Sequence, residues 1–210
     1  MSFILANPDL LITLLAEHLR MVGMALVVAT AIALPVGTWM AGQPRWSAWV
    51  MGALGIVYTV PSLALIILLV PVFGLNENAV IVALTLYAQV ILVRNVVAGL
   101  QAVPPAIEEA ARGLGMNAWQ RWRQVRLPLA LPVLLAGERI AAVTSIGIAA
   151  IGAKFSAGGL GRLLFDGIAQ NRMDKIWAGA LALSLLAFAI SGVLWVLERT
   201  ARHLPEQAGH

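Results

Sequence analysis

The sequence predicts an all-α polytopic membrane protein with about five transmembrane helices. Two observations carry that reading. The 210-residue chain is 60% hydrophobic, with mean hydropathy +0.88 and only 11% charged residues, less than half of the roughly 25% that a soluble domain uses to cover its surface. Its apolar residues also gather into runs of the ~20 residues that a helix needs to cross about 30 Å of hydrocarbon. These runs are Met21–Ala41, Ala48–Phe73, Ala79–Leu100, Leu129–Ile151 and Ile176–Leu197, and the total length suits one domain.

Residues 1–18 precede the first run. Asn7-Pro8-Asp9 ahead of "LLITLLAEHL" predicts a short capped amphipathic helix, a tether lying at the surface or entering the membrane, and the missing basic n-region argues against a signal peptide. Residues 19–200 form the membrane domain, with a polar loop at 104–128, and residues 201–210 form a short cytoplasmic tail whose end, "HLPEQAGH", is expected to fray. The second run contains Thr59, Pro61 and Ser62 in "TVPS". Pro61 removes a backbone donor and breaks the helix, which a membrane tolerates only where protein or a water-filled cavity satisfies the freed groups. This stretch reads either as a piece of a transport path or as a packed kink.

Charge placement sets the orientation. Arg45, Arg94, Arg112, Arg121, Arg123, Arg126, Arg199 and Arg202 fall on one side, and Arg20, Lys154, Arg162, Arg172 and Lys175 on the other. The richer side is expected to be cytoplasmic, which puts the N-terminus outside and the C-terminus inside. A net charge of +4 and pI near 10.3 therefore reflect membrane orientation rather than nucleic-acid binding. The chain has no cysteine, and His18, His203 and His210 lack metal-ligand spacing, so thiolate and histidine metal chemistry are not predicted.

The polar loop is the most informative segment. Val103-Pro104-Pro105 ends the third run and pre-sets a new helix. Glu108 and Glu109 complement its positive end, while Ala110, Ala111 and Leu114 make a smooth apolar stripe. Gly113 and Gly115 stop the helix, and Gly115 suits a left-handed turn. A second short helix begins at the N-cap Asn117, with Trp119 and Trp122 on one face and Leu127-Pro128 opening the fourth span. From these residues alone the loop is either a docking surface for another protein or an ordinary amphipathic re-entrant loop.

A resemblance to a known family favours the first. Glu109-Ala110-Ala111, three residues, Gly115, nine residues, Val125, one residue and Leu127-Pro128 resemble the EAA loop of ABC importer permeases, E-A-A-x3-G-x9-I-x-L-P. Val125 stands in the place of the usual isoleucine. In that family the loop is a coupling helix seated in a groove of a separate ATPase subunit. Over residues 20 to 200, "YTVPSLALIILLVPVFGL", "GLGMNAWQRWRQVRLPLALPVLLAG" and "SAGGLGRLLFDGI" look like the osmoprotectant branch, whose substrates include glycine betaine, carnitine and choline. Ala153-Lys154-Phe155-Ser156 departs from the small apolar residues that relatives tend to carry before "AGGLG".

The resemblance implies the type I importer permease fold in a bacterial cytoplasmic membrane, with Glu109, Ala110, Ala111, Gly115, Leu127 and Pro128 coupling to the ATPase. It implies three partners: ATP-binding subunits, a second permease subunit (identical or paralogous) and an extracytoplasmic substrate-binding protein. The chain itself has no GxxxxGK[ST] segment, so it is expected to carry no cofactor and no enzymatic site, and ATP-Mg belongs to the partner. An amino-acid importer permease is the nearest alternative. A passive channel or membrane scaffold is the alternative from another class.

Path and gate candidates are Thr59, Pro61, Ser62, Glu138, Arg139 and Lys154. Glu138 and Arg139 place charge inside a span, where it is costly unless paired or facing water. They point about 100° apart on a helix, so each is expected to meet a different neighbour in a structural or a gating role. Lys154 either snorkels to the interface or lines a gate. Gly158, Gly159 and Gly161 form a plain loop or a tightly packed bend.

Overall fold

The computed structural model describes residues 7–207. Helix α1 spans Pro8–Ala41. Helices α2 (Pro44–Thr59) and α3 (Ser62–Phe73) follow, then α4 (Glu77–Gln101) and the short α5 (Pro105–Gly113). Helix α6 (Ala118–Arg121) passes through a π turn (Trp122–Arg126) into α7 (Leu127–Gly152). A 3₁₀ turn at Ala153–Phe155 leads to α8 (Gly161–Ala169) and α9 (Met173–Gln207). Four of these stretches are long and apolar enough to cross a membrane, and the α2–α3 pair makes a bent fifth.

Helix α4 is the central one, packed between α1 and α7. Its partner face on α1 is built from small residues one turn apart: Ala25, Ala29, Ala33 and Gly37, with Met21 and Met40 closing the row. Small side chains let two helices approach closely where lipid supplies no hydrophobic drive for association. At Gly37 a Cβ would lie 2.5 Å from Cγ1 of Val96, so only glycine fits. Gln89 adds a polar tie, donating to the Ala29 carbonyl at 3.0 Å.

The break anticipated at Pro61 is a bend of 94° between α2 and α3. Val60 is extended, with ψ 127°. Its carbonyl, released from helical pairing, accepts the Tyr87 hydroxyl of α4. The freed acceptor is thus satisfied by protein.

Three expectations change. The short helix expected ahead of the first span is continuous with it. Helix α1 runs unbroken from Pro8, Asn7 makes no side-chain capping bond, and Leu14 packs against Leu160 and Leu163. Residues 1–6 lie outside the described residues. Of the end expected to fray, residues 203–207 continue α9, and residues 208–210 lie outside the described residues. Finally, α6 is not a separate short helix, because Ala118–Phe155 is one helical stretch of 38 residues. Pro128 has no N–H to give, and the chain adapts by widening one turn, with Leu127 N–H bonding back to the Trp122 carbonyl.

Candidate functional site

Helix α5 projects between α4 and α6. Pro104 is extended (ψ 132°) and Pro105 occupies the first turn, as a donor-free helix start requires. Glu108 faces inward and is buried, while Glu109 beside it is exposed. Arg126, in the π turn, donates its Nε–H to Glu108 Oε1, and Arg112 lies 3.9 Å from the other carboxylate oxygen. The hydrogen bond from Arg126 holds the Glu108 carboxyl below its ordinary range, against the opposing effect of burial. Glu109 has no ion pair or hydrogen bond among the described residues.

The end of α5 is closed by its glycine. Gly115 sits at φ +76°. Its N–H bonds to the Arg112 carbonyl at 2.9 Å, and that of Met116 to the Ala111 carbonyl at 3.1 Å. This is the paired Schellman closure, which needs a left-handed residue at that point. Asn117 then caps α6 reciprocally with Gln120, at 2.9 and 2.8 Å. Trp119 and Trp122 stack at 5.2 Å.

The smooth stripe expected over Ala110, Ala111 and Leu114 is divided. Ala111 is buried at 5% exposure, whereas Ile107, Ala110 and Leu114 face out, Leu114 at 82%. The outward surface of the segment is therefore Ile107, Glu109, Ala110 and Leu114. The inward Glu108–Arg126 pair is what sequence reasoning missed. Glu108 was read only as a complement to the helix dipole, and a pairing across eighteen residues has no local signal.

Leu127 and Pro128 have a second setting. With Gly23, Leu26, Thr30, Leu34, Leu131 and Glu138 among its other walls, they line a groove of about 910 Å³ between α1 and α7. Glu138 accepts a hydrogen bond from Thr30 at 2.9 Å. None of Thr59, Pro61, Ser62, Arg139 and Lys154 lines that groove. Thr59 and Pro61 are exposed and Ser62 half-buried at the α2–α3 bend. Arg139 reaches Glu198 of α9 at 3.1 Å, and Glu198 also takes Arg202 at 2.5 Å. Glu138 and Arg139 thus meet different neighbours. Lys154 is exposed, with Nζ 4.7 Å from the centre of the Phe165 ring.

The glycine bend is tightly packed. Gly158 and Gly159 have φ +79° and +77°, and Gly159 N–H donates to Glu17 at 2.8 Å. Next to it His18 Nε2 lies 3.2 Å from the Ile146 carbonyl. A second cavity, of about 590 Å³, adjoins this bend and is lined by Glu17, Arg20, Glu77, Arg162 and Asp166 among others. Among the described residues no group of three or more His, Asp or Glu could hold a metal ion.

Comparison with known proteins places this geometry. The chain is 38% identical to the osmoprotectant import permease protein OsmW of Salmonella typhimurium, over 94% of this chain and 93% of that one. It is 33% identical to the glycine betaine/carnitine/choline transport system permease protein OpuCB of Bacillus subtilis, over 95% and 92%. Among solved structures, an inward-facing form of the MetNI methionine ABC transporter superposes with a TM-score of 0.83 at 26% identity, covering 93% of this chain and 98% of that one. The family model described as binding-protein-dependent transport system inner membrane component matches residues 33–203. The chain belongs to that family, the membrane-spanning permease components of binding-protein-dependent ABC transporters.

Proposed function

We propose that this chain is the permease subunit of an ATP-driven importer for osmoprotectants such as glycine betaine, carnitine or choline. The observation that carries the reading is the joint at α5. Glu109 and Leu114 stand exposed on a short helix fixed at its base by Glu108–Arg126 and at its end by the Gly115 closure. A passive channel has no use for such a firm, outward-facing joint, whereas a permease driven by a separate motor depends on one. The names of the relatives support the substrate class.

In this reading the ATPase pair seats on Glu109–Gly115, and its closure on ATP moves α5. The spans then rock to open a path outward, and hydrolysis resets them inward, as alternating access requires. A second permease copy or paralogue and an external binding protein complete the assembly. The lysine and arginine bias puts α5 and the C-terminus inside and the N-terminus outside. The α2–α3 bend at Thr59, Pro61 and Ser62 and the Glu138 groove are the path candidates, Lys154 the outer gate candidate, and Arg139 a structural tie to Glu198.

The test is uptake of labelled glycine betaine at high and low salt, in cells with and without the gene and with other betaine importers removed. ATP-dependent uptake lost on deletion is the expected result. Uptake that persists without ATP identifies a passive channel, and uptake of amino acids in place of betaine identifies the amino-acid branch.

A further inference from the structure

Glu138 is a carboxylate placed where a carboxylate is expensive, well inside the membrane-spanning helix α7. Such groups are ordinarily paired. Among the described residues Glu138 has no ion pair, and its one hydrogen bond comes from the uncharged Thr30 of α1. The adjacent cation, Arg139, points to a different side of the helix and is engaged by Glu198 at 3.1 Å. The charge is left facing a groove of about 910 Å³, within the roughly 300–1,000 Å³ of small-molecule sites.

The chemistry of the groove narrows what complements that charge. Its remaining walls are glycine, alanine, proline, valine and leucine side chains, with Thr30 as the other polar group. A primary ammonium ion brings three N–H donors that point apart, whereas the acceptors here, the two Glu138 oxygens and the Thr30 hydroxyl, sit together against otherwise apolar walls and match such a donor set poorly. A quaternary ammonium ion has no N–H at all. Its charge is spread over methyl groups, which satisfy the carboxylate by Coulomb attraction and the leucines by contact. The same groove reaches Leu127 and Pro128, which follow Arg126 in the chain, so its shape is coupled to α5 through the Glu108–Arg126 pair.

We infer that Glu138, oriented by Thr30, is a specificity-determining residue: it receives the quaternary-ammonium head of the substrate in the α1–α7 groove. The inference rests on the proposed function and adds the residue and the chemical group it recognises. It commits the groove to substrate, against a cationic side chain of a second copy or a lipid tail.

The test uses the full transporter with its ATPase and binding protein in proteoliposomes, comparing wild type, Glu138→Gln and Glu138→Asp for ATP-driven uptake of labelled glycine betaine and choline. Binding-protein capture sets the half-saturating concentration, so that value should hold. The maximal rate should fall by about tenfold or more in Glu138→Gln, with assembled complex at wild-type level, and recover substantially in Glu138→Asp. Uptake by Glu138→Gln within about twofold of wild type overturns the inference, as does an equal loss in both variants. Loss of uptake together with loss of the assembled complex also overturns it, because the groove is then an interface. A wild-type transporter that imports neither compound overturns the proposed function itself, a result distinguishable from failure of the Glu138 role alone.

Discussion

Arg126 reaches across eighteen residues to the Glu108 carboxylate, fastening the base of α5 to the start of the fourth span. Glu108 is buried and Arg126 only partly so, and Arg112 adds a weaker contact at 3.9 Å. The pair has a direct mechanical meaning. A force applied to the outward face of α5 has a direct route through it to the start of α7.

Removing the pair should loosen that connection while leaving the fold intact. Glu108→Gln should cost about 1 kcal/mol, the scale of a partly exposed ion pair, and reduce uptake more than membrane abundance. Faster amide exchange across residues 105–113, with α7 unchanged, is the measurement that checks it. The pH dependence has a definite sign. The folded-state carboxyl titrates below its ordinary range, so its contribution is complete above the unfolded-state pKa and is lost only as pH falls through the lower folded-state value. Coupling through this pair should therefore be constant near neutrality and weaken only in acid.

Gly115 sits at φ +76°, with nothing within 4 Å of where a Cβ would go. The requirement is thus conformational, and the order of tolerance should be Asn above Ala above Val. Gly115→Val should strain the closure by about 1–3 kcal/mol, abolishing transport while insertion survives. Normal uptake by a well-expressed Gly115→Val protein would refute the role of the closure.

Glu109 is exposed and makes no contact within the chain among the described residues. Reversing its charge should therefore leave stability within about 0.5 kcal/mol. Glu109→Lys should nonetheless lose the co-purifying ATPase. Retention of the ATPase by the variant at wild-type stoichiometry would remove Glu109 from the docking surface.

Tyr87 supplies the hydroxyl that satisfies Val60 at the α2–α3 bend. Tyr87→Phe leaves that carbonyl without its donor, at a cost of about 1–3 kcal/mol. Lower thermal stability of the purified complex, together with altered maximal uptake, is the expected outcome. An unchanged melting temperature would mean that water replaces the hydroxyl.

Much of this architecture was legible in the sequence because its causes are local. Runs of apolar residues set the spans, Pro61 the bend, Gly115 the end of α5 and Asn117 the start of the helical stretch that follows. What escaped depended on partners distant in the chain. Nothing near Glu108 announces Arg126, and nothing near Arg139 announces Glu198. Neighbours in sequence were also judged together when packing separates them: Ala110 faces out and Ala111 in, Glu108 in and Glu109 out. Pro128 read as a boundary, yet a π turn carried the helix through it. Leu14 read as part of a tether because its partners, Leu160 and Leu163, lie beyond three intervening spans.

The unbroken helical stretch from Ala118 to Phe155, 38 residues long, has a mechanical consequence. At 1.5 Å per residue it is a rod of roughly 57 Å, nearly twice the ~30 Å hydrocarbon thickness. One end is gripped through Glu108, and the other abuts the glycine bend, where a Cβ at Gly161 would run into the backbone of Ala150. A rod has little compliance with which to absorb a push. A tilt of about 5° at the α5 end would swing the far end by roughly 5 Å, enough to move a closely packed bend past its neighbours. If the motor seats on α5 as proposed, the stretch would act as a lever whose gain is set by helix length, its helix carried past Pro128 by one widened turn and on through Pro132.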